Sequence, residues 1–303
     1  MRFTLVLLIS ATVSVVHSLN FPEIRSVATK YTEKLSRSLH TYSSITTRSS
    51  PQVEAAFHDC GTWDNTQGET GGCDGSLILA NEAYTLPENN GLQSISTTLL
   101  NVQQKYNTAA VPVSVADIIQ VAASVATLTC PGGPKVATYV GRKDSSNLAP
   151  GGRLPDVHAS GESLYNLFLA KGFKASELAA LLGAHSTSKA LGQPNIPSGT
   201  PQDSTPGLWD VAYYGQTLKP VAGMTPFQSD INLAAHPVVG KEFKGLVGSQ
   251  GKWTSAYANA MAKMALLGVP GGKRNLIDCT GALPRGTSSK RDVRGASIND
   301  RVR

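Results

Sequence analysis

The sequence predicts a mostly α-helical protein, and two observations carry that expectation. Apolar residues recur at helical spacing in six stretches, whereas a strand-like pattern appears once, in "KVATYVGRKD" (135–144). The segments between those stretches are rich in Pro, Gly, Ser and Thr, the residues that punctuate helices.

The elements follow in chain order. "EIRSVATKYTEKLSRSLH" (23–40) is amphipathic. "PQVEAAFHDC" (51–60) opens on proline, favoured at the first helical position, and runs into His58. "SVADIIQVAASVATL" (114–128) has Ser114 as N-cap and is apolar nearly all round, so a central buried helix is expected there, ended by "CPGGP". "HASGESLYNLFLAKGF" and "KASELAALLGAHSTSKA" form a helical pair broken at Gly172. "WTSAYANAMAKMALLGV" is the last strong helix, stopped by "PGG". From Leu191 to Met224 a long irregular stretch is expected, of a length that commonly serves function or a ligand.

The first 18 residues, "MRFTLVLLISATVSVVHS", combine a basic Arg2, an apolar run and small residues before a cut near Ser18. This pattern predicts a secretory signal peptide and an extracellular product. No later segment reaches the roughly 18 apolar residues of a spanning helix. Apolar residues make up 41% of the chain, enough for one large domain or two packed lobes. The formal charge is +6, yet Lys290, Arg291, Arg294, Arg301 and Arg303 against Asp292 and Asp300 account for 5 − 2 = +3 of it. The excess therefore lies half in a tail, 286–303, that reads as a solvated disordered end rather than a nucleic-acid or membrane contact. Lys290-Arg291 is a dibasic pair open to a secretory-pathway protease, and no Asn-x-Ser/Thr sequon occurs.

Four cysteines in a secreted chain suggest two disulfides. Cys60 and Cys73 flank one loop. Cys130 and Cys279 would pair by elimination only, the alternative being that they form no bridge.

His58 and His185 each end a predicted helix. Singly, each reads as an ordinary core or surface residue. Facing one cavity, they would supply what a haem enzyme needs: one imidazole to ligate iron and one to act as acid and base above it. Oxygen donors follow each histidine. Asp59, Gly72, Asp74 and Ser76 follow the first; Ser186, Asp203, Thr205, Leu208 and Asp210 follow the second. Carboxylates, hydroxyls and carbonyls without soft ligands suit Ca²⁺, although the same residue types also build turns.

The motifs "AAFHDC…GGCDGSL", "VSVADIIQVAA", "GRKDSS", "LLGAHS", "DSTPGLWD", "FQSD" and "LIDC" occur in the order seen in the plant/fungal secretory haem peroxidases, over about residues 25–285. "DSTP" and "QSD" resemble the fungal ligninolytic-type branch most, while "GTWD" resembles the intracellular ascorbate and cytochrome c peroxidases. The resemblance implies a two-lobed fold over residues 19–285, with one haem b between a distal lobe (about 19–150) and a proximal lobe (about 151–285). It implies one Ca²⁺ per lobe. His185 resembles the iron ligand and Asp230 the carboxylate behind it. His58 resembles the distal base, Asn89 the amide that fixes its tautomer, and Phe57 the distal aromatic. Asp117 and Arg142 match a buried structural pair. Cys60–Cys73 matches a bridge of the plant branch, while Cys130 and Cys279 each match half of a different fungal bridge.

Two positions depart from the pattern. Glu54 stands one turn before His58, where the family carries an arginine that holds peroxide and stabilises charge on the leaving oxygen. A carboxylate can do neither: aimed inward, it repels peroxide anion or acts as a second acid/base, and otherwise it turns to solvent. Gln202 replaces the aromatic residue usual beside the proximal histidine, so a buried amide there needs hydrogen bonds. The acids of a manganese site would fall at Thr47, Pro51 and Leu191, and a surface tryptophan for bulky aromatics at Ala180; neither pattern is present. Oxidation of small phenols is expected instead at the haem edge, from Pro155 to His158. The expected protein is a monomeric secreted enzyme that reduces hydrogen peroxide with small one-electron donors, slowly, binding neither nucleic acid nor membrane. The alternative is a haem-binding or effector protein on the same scaffold with little or no catalysis.

Overall fold

A computed structural model describes residue 33 and residues 50–66, 71–108, 112–191 and 195–286. The expected signal peptide, the 23–40 helix, Thr47 and the basic tail from 287 onward fall outside these residues.

Twelve α-helical or strand elements matter for the site and are labelled in chain order. They are α1 (Ser50–Cys60), α2 (Ser76–Leu79), α3 (Glu82–Thr85), α4 (Gln93–Tyr106), α5 (Val115–Thr129), β1 (Tyr139–Val140) and α6 (Gly161–Ala170). After these come α7 (Ala175–Leu182), α8 (Ala212–Leu218), α9 (Gln228–Ala235), α10 (Val239–Lys244) and α11 (Gln250–Met264). A second short strand, β2 (Ile277–Asp278), pairs antiparallel with β1, so that Tyr139 faces Asp278 and Val140 faces Ile277. The architecture is mostly α, as the sequence predicts.

α5 is the central helix. Ser114 caps it by accepting from the Asp117 N–H, and every residue from Val115 to Leu128 is buried. α1 and α4 pack on it, and Gln120 reaches from α5 to the Cys60 sulfur at 3.1 Å. The second group of helices gathers around α7, which packs against α10 and α11, while α9 packs against α6 and α10. Asp117 and Arg142 form the expected buried pair at 2.8 Å, and Arg142 Nη2 donates to Ala265 O at 2.7 Å. That second bond ties the central helix to the end of α11.

Three sequence expectations differ in detail. α8 interrupts the stretch expected to be irregular between Leu191 and Met224. α4 was hidden by its Ser, Thr and Gln content, which lowers helix propensity and blurs the apolar stripe. The bridge Cys60–Cys73 forms, but Cys130 and Cys279 are both buried and are not joined to each other. The Cys279 N–H is held by Thr138 O, and the Thr138 hydroxyl donates to Ser124.

Lys171, 1% exposed, donates to Trp63 O at 3.2 Å and pins the loop after α1 to the end of α6. Burial pushes its pKa down to about 8, although Asp64 pulls it back up. The folded pKa lies below the unfolded one, so folding stability rises with pH from about 8 to 10.5 and is flat below that window. The rise is on the order of 3 kcal/mol. Thermal melts between pH 7.5 and 10.5 should show this slope in the native protein and lose it in Lys171→Met; an unchanged slope would place the proton elsewhere.

Candidate functional site

α1 and the turn after α7 face each other across a cavity of about 610 Å³, within the usual size of a ligand pocket. Glu54, Phe57 and His58 line one side, one helical turn or less apart on α1. Leu181, Leu182, His185, Phe227 and Asp230 line the other, and Leu154, Pro155 and Asp156 form part of the rim.

Each histidine has one ring nitrogen committed. His58 Nδ1 lies 2.8 Å from Asn89 Oδ1, and the Asn89 NH₂ group donates to the Glu82 carbonyl at 3.1 Å. With its NH₂ so used, the buried amide presents oxygen to the ring, and Nδ1 must carry the proton. His58 Nε2 is thereby left as a proton acceptor. Phe57 packs edge-on to His58 and stacks on Phe168, which fixes the ring from the side.

His185 sits in a 3₁₀ turn, Gly183–Thr187. Its Nδ1 donates to Asp230 Oδ2 at 3.0 Å, and the 31% of its side chain that is open faces the cavity. Gly183 makes this placement feasible, because a Cβ there would collide with the Trp253 indole. Burial alone would lower the pKa of His185; the charge and hydrogen bond of Asp230 outweigh it and raise the pKa, and the charge of Glu54 adds in the same direction. Glu54 lines the same cavity as His185.

Gln202 is fully buried and satisfied. Its Nε2 donates to Asp230 Oδ2 at 3.0 Å, and its Oε1 accepts from the Ser188 hydroxyl. The polar side chain in an aromatic position therefore has both partners a buried amide needs.

The expected oxygen donors are placed as follows. Asp59 is buried and accepts from the Gly75 and Leu77 N–H groups, and Asp74 accepts from the Ser76 N–H. Burial, and then the charge of Asp74, raises the Asp59 pKa well above the carboxylate range. The Ser76 hydroxyl is buried with no partner among the described residues. Glu82, unsuspected from sequence, joins this cluster: it is buried, Oε1 accepts from the Ala149 N–H, and Oε2 has no partner. The sequence does not single it out, since Glu88 also lies between Asp74 and Asn89. In the second cluster Asp203 accepts from Thr205 N, Thr205 Oγ donates to Asp210, and Ser186 Oγ donates to Leu208 O. Burial, then Asp210, pushes Asp203 up to about 7, and Asp203 Oδ2 is buried without a partner. Among the described residues no three His, Cys, Asp or Glu side chains converge on one metal-sized point. Carbonyls and hydroxyls make up much of each donor set. Crowded carboxylates with orphaned oxygens fit a hard divalent cation such as Ca²⁺.

A model of the peroxidase family matches residues 26–249. The chain belongs to the peroxidase family. A low-redox potential peroxidase of Taiwanofungus camphoratus is 33% identical over 233 residues, 71% of this chain and 68% of the relative. Manganese peroxidase 3 of Phlebia radiata is 32% identical over 253 residues, 75% of this chain and 68% of the relative. A putative L-ascorbate peroxidase of Arabidopsis thaliana is 34% identical over 215 residues, 70% of this chain and 58% of the relative. Peroxidase-family membership and the fungal relatives make this chain a haem peroxidase of the fungal ligninolytic-type branch. The cavity fits haem: its walls carry leucine and phenylalanine side chains, and an imidazole opens into it from one side.

Chelation supplies a direct check on the oxygen clusters. A cation bound a hundredfold above its Kd stabilises by about 3 kcal/mol, so EDTA should lower the melting temperature by roughly 5 to 10 °C for a chain this size. Ca²⁺ should restore it better than Mg²⁺, which demands a tighter octahedral shell and gives up its waters reluctantly. A melting temperature indifferent to EDTA would remove cations from both clusters.

Proposed function

We propose that the protein is a secreted haem peroxidase that reduces hydrogen peroxide and oxidises small, phenol-type one-electron donors, with slow activation of peroxide. The observation that carries this reading is the pair of histidines facing one cavity, each with Nδ1 committed to a buried partner. Bound between them, haem would supply the iron on which peroxide is reduced.

In this reading His185 holds the iron through its open ring nitrogen, and Asp230 keeps the other nitrogen protonated and the ring oriented. His58 accepts the proton of the incoming peroxide at Nε2 and returns it to the departing oxygen, a role that its Asn89-fixed tautomer prepares. Asp59, Gly72, Asp74 and Ser76 hold one Ca²⁺ in this proposal, and Ser186, Asp203, Thr205, Leu208 and Asp210 a second. Small donors approach at the cavity rim near Pro155, where the opening meets solvent. The leader-like first 18 residues support an extracellular site of action. No helix among the described residues is long and apolar enough to cross a membrane.

Glu54 argues for the slow rate. It lines the cavity on the face of His58 and brings negative charge where charge develops on the leaving oxygen. The same observation favours a second reading: a haem-binding protein that no longer turns over. Reconstitution of the mature chain with haemin separates the two. A Soret band followed by oxidation of a phenol on addition of peroxide supports the enzyme, whereas a Soret band without turnover leaves the binding protein. Loss of the Soret band in His185→Ala is expected in either case. Glu54→Arg should raise the peroxide reaction rate roughly 100-fold, the scale of one oxyanion-stabilising donor. A rate unchanged or lower in stopped-flow would show that the carboxylate does not oppose peroxide.

A further inference from the structure

Gln202 has two fixed partners, and the arrangement bears on His185. Ser188 donates its hydroxyl to Gln202 Oε1, which turns the NH₂ end toward Asp230. Chemistry dictates that orientation, because a carboxylate only accepts. Nε2 reaches Asp230 Oδ2 at 3.0 Å, and His185 Nδ1 reaches the same oxygen at 3.0 Å. The other oxygen, Oδ1, is buried without a partner among the described residues. Two N–H donors thus share one carboxylate oxygen.

We propose that Gln202 is a positioning residue that limits how much negative charge Asp230 lends to His185; this rests on reading His185 as the iron ligand. A second donor on Oδ2 disperses the charge there and weakens its pull on the Nδ1 proton. His185 then stays nearer a neutral imidazole than it would beside an apolar side chain. A less anionic ligand stabilises ferric iron less, so the bound haem is easier to reduce. Ser188 belongs to the device, since it holds the amide in the orientation that faces Asp230.

The test compares native holoprotein with Gln202→Met, which keeps length and removes the donor. Two quantities are measured: the ferric/ferrous potential by spectroelectrochemistry, and the iron–histidine stretch of the ferrous form by resonance Raman. The variant should show a lower potential, about 59 mV for each tenfold change in the reduction equilibrium, and a higher stretching frequency. In an Asp230→Asn background the same substitution should shift neither, because the effect passes through the carboxylate. Should that background fail to fold, Ser188→Ala replaces it, with a smaller shift of the same sign expected. An unchanged potential in Gln202→Met with haem retained overturns the proposal alone, as does a full shift that persists without Asp230. Native holoprotein with no iron–histidine stretch overturns the ligand reading and this inference together.

Discussion

The site turns on one interaction, the hydrogen bond from His185 Nδ1 to a fully buried carboxylate. A carboxylate out of water is costly unless donors surround it. Asp230 draws those donors from two places, the 3₁₀ turn after α7 and the loop that carries Gln202. Its own N–H is held by Phe227 O at the start of α9, and Phe227 and Tyr213 press edge-on against the His185 ring, each at 5.8 Å. Meeting the needs of one charge therefore fixes the direction of the imidazole. Remove the carboxylate and three segments lose their reason to converge.

The opposite wall uses the same geometry with a different partner. His58 also commits Nδ1, but to a neutral amide, Asn89. An uncharged acceptor sets the tautomer of the ring and leaves Nε2 without the proton. The carboxylate behind His185 accepts from Nδ1 and leaves the other ring nitrogen free, which in the proposed reading suits a ligand. Asn89 leans in turn on the Glu82 backbone, and the Glu82 side chain belongs to the cluster of Asp59 and Asp74. Asp59 directly follows His58 in the chain. The disulfide Cys60–Cys73 closes the same loop. His58, the first residue of the oxygen cluster and the bridge thus fall in one short covalent unit.

How much of this was legible in the sequence depended on distance along the chain. His58, Asp59 and Cys60 are consecutive, and His185 with Ser186 likewise, so local motifs announced them. Ser114 signalled its cap because a cap bonds within one turn. The helices with a clear apolar stripe were legible; α4, with its Ser, Thr and Gln, was not. β2 escaped notice because two residues carry no alternation, and its pairing with β1 is made only by the fold. Gln202 could be recognised as unusual, yet its partner Asp230 lies 28 positions on and only tertiary structure joins them. Glu82 was hidden for the same reason, since its neighbours Asp74 and Ala149 come from separate segments. Cys130 and Cys279 show the converse error: elimination pairs residues by count, whereas a bridge requires proximity.

In the proposed reading the two departures from the family pattern act in one direction. Breaking the bond between peroxide oxygens is helped by positive charge on the distal side and by an electron-rich ligand on the proximal side. Glu54 places a carboxyl group in the cavity that His185 also lines. Gln202 spends part of the Asp230 charge on a second donor. A chain that had merely lost its function would be expected to lose such residues at random and leave polar groups unsatisfied. Here Gln202 is bonded at both ends, and Asn89 still holds His58. In the proposed reading, satisfied substitutions around the two histidines suit a site with a lower driving force for bond cleavage.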